Sequence, residues 1–152
     1  MSDLKFRIKA ESENPTKMKV KARGFEFTID EPKDLGGTDS AANPVEYLLG
    51  AFAGCLNVMG HLIAGEMGFT LKSLKIDMAG DLNPAMLFGQ PTEDRAGYKN
   101  IEVKLRPECD ADEETLEAWK LAIASRCPVC DNLKHLTPVE LKVKARQIAV
   151  EA

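Results

Sequence analysis

The sequence predicts an α+β fold built on a largely antiparallel sheet, with the element order β-β-β-α-β-β-α-β. Three observations carry this. Strand-like alternation clusters at residues 4–29 and again at 71–106, and does not alternate strictly with helices. One long apolar run with helix signals separates the two clusters, and a second helical stripe follows them.

The first cluster opens with Leu4-Lys5-Phe6-Arg7-Ile8-Lys9, which reads as a strand, followed by a loop over Glu11–Pro15. Met18-Lys19-Val20-Lys21-Ala22 and Phe25-Glu26-Phe27-Thr28-Ile29 alternate on either side of Arg23-Gly24, the pattern of a hairpin turning at the glycine. The basic residues along these strands, from Lys5 to Arg23, read as one solvated face. Asp30-Glu31-Pro32 ends the hairpin, and Leu35–Ser40 is a polar, glycine-rich loop.

A long helix is predicted over about 44 to 67. Asn43 is a good N-cap and Pro44 suits the first helical position. Leu48, Ala51, Phe52, Cys55, Val58, Met59 and Leu62 recur at helical spacing, while Leu49, Leu56 and Ile63 make the other faces apolar too. A helix apolar nearly all round is covered on every side. Glu46, Asn57, His61 and Glu66 make it a core helix and not a membrane span. Gly68 is its stop signal.

Leu71–Ala79 and Lys99–Arg106 alternate as strands. The long connection Gly80–Gly97 places Met86, Leu87 and Phe88 where they would cover a pocket. Asp110 then reads as the cap of a second helix, with Glu113 at capping-box spacing. Leu116, Trp119, Ile123 and Cys127 form its apolar stripe, and Pro128 breaks it. Pro138–Val150 reads as a last strand.

With 152 residues the chain is long enough for one domain, residues 1–152, with a sizeable core. A content of 44% hydrophobic and 29% charged residues is that of a soluble globular protein. The net charge of −4, with both signs interspersed, argues against nucleic acid as a partner, since that needs a basic face. Met1-Ser2-Asp3-Leu4-Lys5 runs directly into the first strand without a signal peptide, which points to the cytoplasm, where thiols stay reduced. Four cysteines in that setting are catalytic, metal-binding or inert, not a structural disulfide framework.

Cys55 and Cys127 are the candidates for chemistry, because two thiols that meet can do redox work that one cannot. Each also has a plain reading as a small buried hydrophobe. A reactive Cys55 needs something to lower its pKa. His61, six residues on, lies about 120° round the helix. An arginine delivered by the fold would have to serve, with Arg23 at the hairpin tip and Arg126 beside Cys127 as candidates. Glu46 lies nine residues before Cys55, about 180° away on a straight helix, so it reaches the same site only through a kink or a neighbouring subunit. Cys127-Pro128-Val129-Cys130 is a Cys-x-x-Cys, but read as following a helix its dipole has the wrong sign for a redox motif. Zinc would need a second paired knuckle, which Cys109, Cys55 and His135 do not supply, so no metal or cofactor is expected.

The motifs together resemble a known family. Asp30-Glu31-Pro32, Leu35-Gly36-Gly37, Asn43-Pro44-Val45-Glu46-Tyr47-Leu48-Leu49 and Gly54-Cys55-Leu56 are similar to the OsmC/Ohr family, the osmotically inducible and organic hydroperoxide resistance proteins. Arg95-Ala96-Gly97-Tyr98, Cys127-Pro128-Val129 and Thr137-Pro138-Val139 extend the match over nearly the whole chain. The resemblance implies an intertwined homodimer of α+β fold with active sites at the subunit interface. It implies a thiol-dependent peroxidase for organic or hydrogen peroxide, with Cys55 as peroxidatic and Cys127 as resolving cysteine. An external dithiol would reduce their disulfide. Arg23 and Glu46 would be the activating pair. In the best-studied branches a glutamate directly follows the Asn-Pro or Ser-Pro pair; here that position is Val45 and Glu46 comes one later, as in the branch described as predicted redox proteins. Two other readings stay open: a binding protein for a small hydrophobic or thiol-bearing ligand, and a dithiol oxidoreductase using Cys127 and Cys130.

Overall fold

Two antiparallel sheets and three helices make up the computed structural model, which describes residues 2–145. Strands β1 (Lys9–Ser12), β2 (Met18–Ala22) and β3 (Phe25–Ile29) form a meander. Helix α1 (Pro44–Met67) follows, then the long hairpin β4 (Leu71–Asp81) and β5 (Asn100–Cys109), then α2 (Glu113–Arg126) and α3 (Pro128–Lys134). The α+β prediction holds, with one further helix, α3, between the predicted second helix and the predicted last strand.

The β2–β3 turn falls on Arg23-Gly24, as alternation predicts, and Arg23 adopts a positive φ of 57°. The first strand is displaced. Alternation runs over 4–9, but pairing with β2 begins only at Lys9↔Lys21 and ends at Ser12↔Met18. Backbone partners decide a strand, and Leu4, Phe6 and Ile8 stand exposed without them.

Helix α1 starts and stops where its signals predict. Asn43 Oδ1 accepts from the Glu46 N–H at 2.9 Å, and Glu46 Oε2 accepts from the Asn43 N–H at 2.8 Å, a complete capping box. Gly68 closes the helix in the left-handed conformation, φ 78°. Phe52, Leu56, Gly60, Ile63 and Ala64 form its buried face. The expectation of cover on every side fails within one protomer, because Val58 and Leu62 on another face are exposed. By length and hydropathy α1 would suffice for a membrane span, yet it carries the core of this fold.

Strands β4 and β5 pair from Leu71↔Cys109 to Asp81↔Asn100, with a bulge between Leu71 and Ser73. Leu74, Ile76, Met78, Ile101, Val103 and Leu105 turn one face of this sheet to the helices. Helix α2 begins later than predicted. Asp112, not Asp110, is its N-cap, accepting from the Thr115 N–H at 2.8 Å. Asp110 instead accepts from the Thr70 N–H at 2.7 Å and ties the start of β4 to the end of β5.

Trp119 locks α2 onto α1. Its Nε1–H donates to the Gly60 carbonyl at 2.8 Å, and a Cβ at residue 60 would stand 3.1 Å from the indole. Glycine there permits the close approach. Phe69 meets Trp119 edge-on, with centroids 6.2 Å apart. Of the predicted strand Pro138–Val150, residues 138–145 have no regular structure and the remainder lies outside the described residues. Its Val139, Leu141 and Val143 are almost fully exposed.

Candidate active site

Helix α1 carries Cys55 into the core at the side facing α3, half-buried between Leu56 and the α2–α3 junction. Cys127 sits at that junction. It ends α2, its N–H donating to the Ile123 carbonyl at 3.0 Å, and in the same extended conformation it is the N-cap of α3. Pro128 therefore both breaks α2 and fills the first position of α3, where a missing N–H costs nothing. This corrects the expectation that the Cys-x-x-Cys only follows a helix: it opens one as well.

The two sulfurs meet. Cys127 Sγ lies 2.8 Å from Cys55 Sγ, although the residues are 72 positions apart. Cys127 is 1% exposed and Cys130 5% exposed, so both are enclosed, and all four cysteines are free thiols. The first turn of α3 serves the pair through its backbone. The Cys130 N–H donates to Cys127 Sγ at 3.4 Å, and the Val129 N–H favours the charged form of Cys55. Sequence reading missed these donors, though Pro128 at a helix-start spacing was their signal.

Burial pushes the Cys55 thiol above the ordinary range, and the neighbouring Cys127 adds to the rise, while the Val129 N–H works against both. None of the groups acting most on Cys55 is a cation. Arg126 is engaged elsewhere, in a two-pronged ion pair with Glu66 that joins the end of α2 to α1. Arg23 stands at the hairpin tip with its guanidinium 5.3 Å from the Phe25 ring. Glu46 sits at the N-terminal turn of α1, in the capping box. So one protomer brings Cys55 and Cys127 together and adds Cys130, but leaves Arg23 and Glu46 apart from them. Cys109 lies at the far end of β5, paired with Leu71.

Beside the thiols, a groove of about 800 Å³ runs between α1, β5, α2 and α3. Leu48, Phe52, Ile101, Leu116 and Leu133 give it apolar walls, and Cys130 is part of its lining. From the long β4–β5 connection the lining residues are Arg95, Gly97 and Tyr98, not the predicted Met86, Leu87 and Phe88, which are exposed. Tyr98 is fixed there by its hydroxyl, which donates to the Val45 carbonyl at 2.9 Å. Burial and the nearby Glu46 charge both hold the Tyr98 hydroxyl in its protonated form.

An antiparallel sheet backed by helices, with two facing thiols at a helix junction, defines an α+β protein with a paired-cysteine site. The chain belongs to the OsmC-like family, whose model matches residues 37–142. Solved structures agree on the fold. An OsmC-like protein from Mycoplasma pneumoniae superposes with a TM-score of 0.76 at 22% identity, covering 88% of this chain and 89% of that one. A Legionella pneumophila protein, described as an organic hydroperoxide resistance protein OsmC and predicted redox protein, gives 0.63 at 18% identity, with 88% and 92% covered. An organic hydroperoxide resistance protein from Elizabethkingia anophelis gives 0.57 at 20% identity, with 88% and 91% covered. A search of the curated proteins finds no match.

Proposed function

We propose that this chain, as one OsmC-like domain, is a cytoplasmic thiol-dependent peroxidase acting on organic or hydrogen peroxide. The observation that carries the reading is the 2.8 Å approach of Cys55 Sγ and Cys127 Sγ. Hydroperoxide resistance proteins among its structural neighbours are consistent with it. The Cys55 thiolate attacks the terminal oxygen of the peroxide and the O–O bond breaks. The alcohol or water leaves with a proton, and Cys55 becomes a sulfenic acid. Cys127 attacks that sulfur, water is lost, and a Cys55–Cys127 disulfide forms. An external dithiol reduces it in two exchange steps and is itself oxidised.

The reading includes a homodimer. Among the described residues, none of the groups acting most on Cys55 is a cation, and a second copy is the natural source. Val58 and Leu62 on α1 are exposed, as are the alternating Leu4, Phe6, Ile8 and Val139, Leu141, Val143 at the chain ends. β4 and β5 pair only with each other among the described residues, and a two-stranded sheet is marginal alone. In this reading the hairpin of one copy brings Arg23, oriented by Glu46, to the Cys55 of the other.

Reduced protein is expected to consume tert-butyl hydroperoxide in a stopped-flow assay. Cys55→Ser should abolish consumption, and Cys127→Ser should let Cys55 over-oxidise to sulfinic acid, seen by mass spectrometry. A Cys55→Ser protein as active as the parent overturns the reading. The groove favours a second reading, a binding protein for a small apolar ligand. Tight binding of a hydrophobic probe together with peroxide consumption no faster than that of Cys55→Ser would select it.

A further inference from the structure

Cys130 takes no part in the cycle above, yet it is hydrogen-bonded to the resolving cysteine. Its N–H donates to Cys127 Sγ at 3.4 Å. It is also the one cysteine that lines the groove, where Cys127 is enclosed and Cys55 is not part of the lining.

We infer that Cys130 is a third redox thiol, which draws the disulfide from Cys55–Cys127 to Cys127–Cys130 on the wall of the groove. This rests on the peroxidase reading for the origin of the first disulfide. The exchange needs no further oxidant or reductant. Cys130 loses its proton to solvent and its sulfur attacks Cys127 Sγ in line with the Cys55–Cys127 bond. The Cys127–Cys130 bond forms as that bond breaks. Cys55 departs as a thiolate toward the Val129 N–H, then takes up a proton.

Geometry permits the step. Residues three apart on a helix have Cβ atoms about 5–6 Å apart, and a disulfide requires about 4 Å. Cys127 is the N-cap, with ψ 114°, outside the helical conformation, so it can turn toward Cys130 without unwinding α3. The outcome places the oxidised bond beside a groove open to an external dithiol and returns Cys55 to its reduced state.

The test uses the full chain in a Cys109→Ser background, so that only the three site cysteines remain. Diamide oxidation followed by acid quench, alkylation and mass spectrometry should find Cys127–Cys130 bonded and Cys55 alkylated. The added Cys130→Ser change should leave a Cys55–Cys127 bond instead. With tert-butyl hydroperoxide and no reductant, the background protein should take up two equivalents per chain, against one for the Cys130→Ser protein. The second equivalent should appear as a dimedone-reactive sulfenic acid on Cys55. A Cys55–Cys127 bond that persists after diamide oxidation with Cys130 present overturns the inference. That measurement needs no variant at Cys130 and so does not depend on one folding. No peroxide uptake, with migration still seen after diamide, would defeat the peroxidase reading and leave the exchange standing.

Discussion

Asp30 shows how one side chain can hold a segment in place. It is completely enclosed and accepts from the Thr38 hydroxyl at 2.5 Å, the Ser40 hydroxyl at 2.9 Å and the N–H groups of Glu31, Thr38 and Ser40. These donors hold its carboxyl far below the usual carboxylate range. The folded state therefore binds this proton less readily than the unfolded state. The stabilisation is present above the unfolded pKa, near about 4, and is lost as pH falls below it. Asp30→Asn should lower Tm at pH 7, and its deficit relative to the parent should shrink toward pH 2 in calorimetric scans. Glu46 offers a cleaner separation of roles. Glu46→Gln keeps a side chain that can complete the capping box and removes the charge. Tm should move by less than about 0.5 kcal/mol equivalent, while peroxide consumption should fall if the carboxylate orients Arg23. Unchanged consumption would remove Glu46 from the proposed site. None of this was legible at Asp30, because its partners lie eight and ten residues on, in a loop without periodicity.

Among the elements, both ends of α1 were legible: Asn43, Pro44 and Gly68 are local signals, and local signals decide helix ends. The α2 stripe Leu116, Trp119, Ile123 and Cys127 was legible for the same reason. The ends of β1 and α2 were not, because two candidates compete at each. Alternation marks 4–9 while backbone pairing selects Lys9–Ser12, which alternation does not mark, and Asp110 is as good a cap as Asp112 until Thr70 engages it. The α2–α3 junction was misread because one proline can end a helix or begin one. The packing of α1 on α2 carries its own prediction. Gly60→Val should cost about 1–3 kcal/mol by overpacking against Trp119 and Leu74, measured as a drop in the urea midpoint. A midpoint equal to the parent's would show that the interface relaxes without cost.

On the scale of the whole molecule, the meander hangs on few links. Tyr47 donates its hydroxyl to the Thr28 carbonyl at 2.6 Å and packs its ring on Phe27, 5.3 Å between centroids. The exposed apolar ends and the bare α1 face complete only with a second copy, under the proposed dimer. Light scattering should therefore give twice the chain mass, and Val58→Asp with Leu62→Asp should give a monomer. In that monomer Cys55 keeps its raised pKa without a cation. Its peroxide rate should therefore rise only at higher pH than the dimer's, since the thiolate is the attacking species. A monomer with the parent's pH profile would show that the cation comes from within the chain. The pairing of Cys55 with Cys127 was legible only by resemblance; no periodicity relates positions so distant.

The junction of α2 and α3 has one more consequence. A bond from Cys55 to Cys127 staples the central helix to that elbow across 72 positions of chain. Loop closure of that length restricts the unfolded ensemble by about 4 kcal/mol on the chain-entropy account. A bond from Cys127 to Cys130 closes only a single helical turn. Calorimetry can therefore act as a redox gauge for this protein: the melting curve should climb steeply under the first linkage and fall back toward the reduced curve under the second.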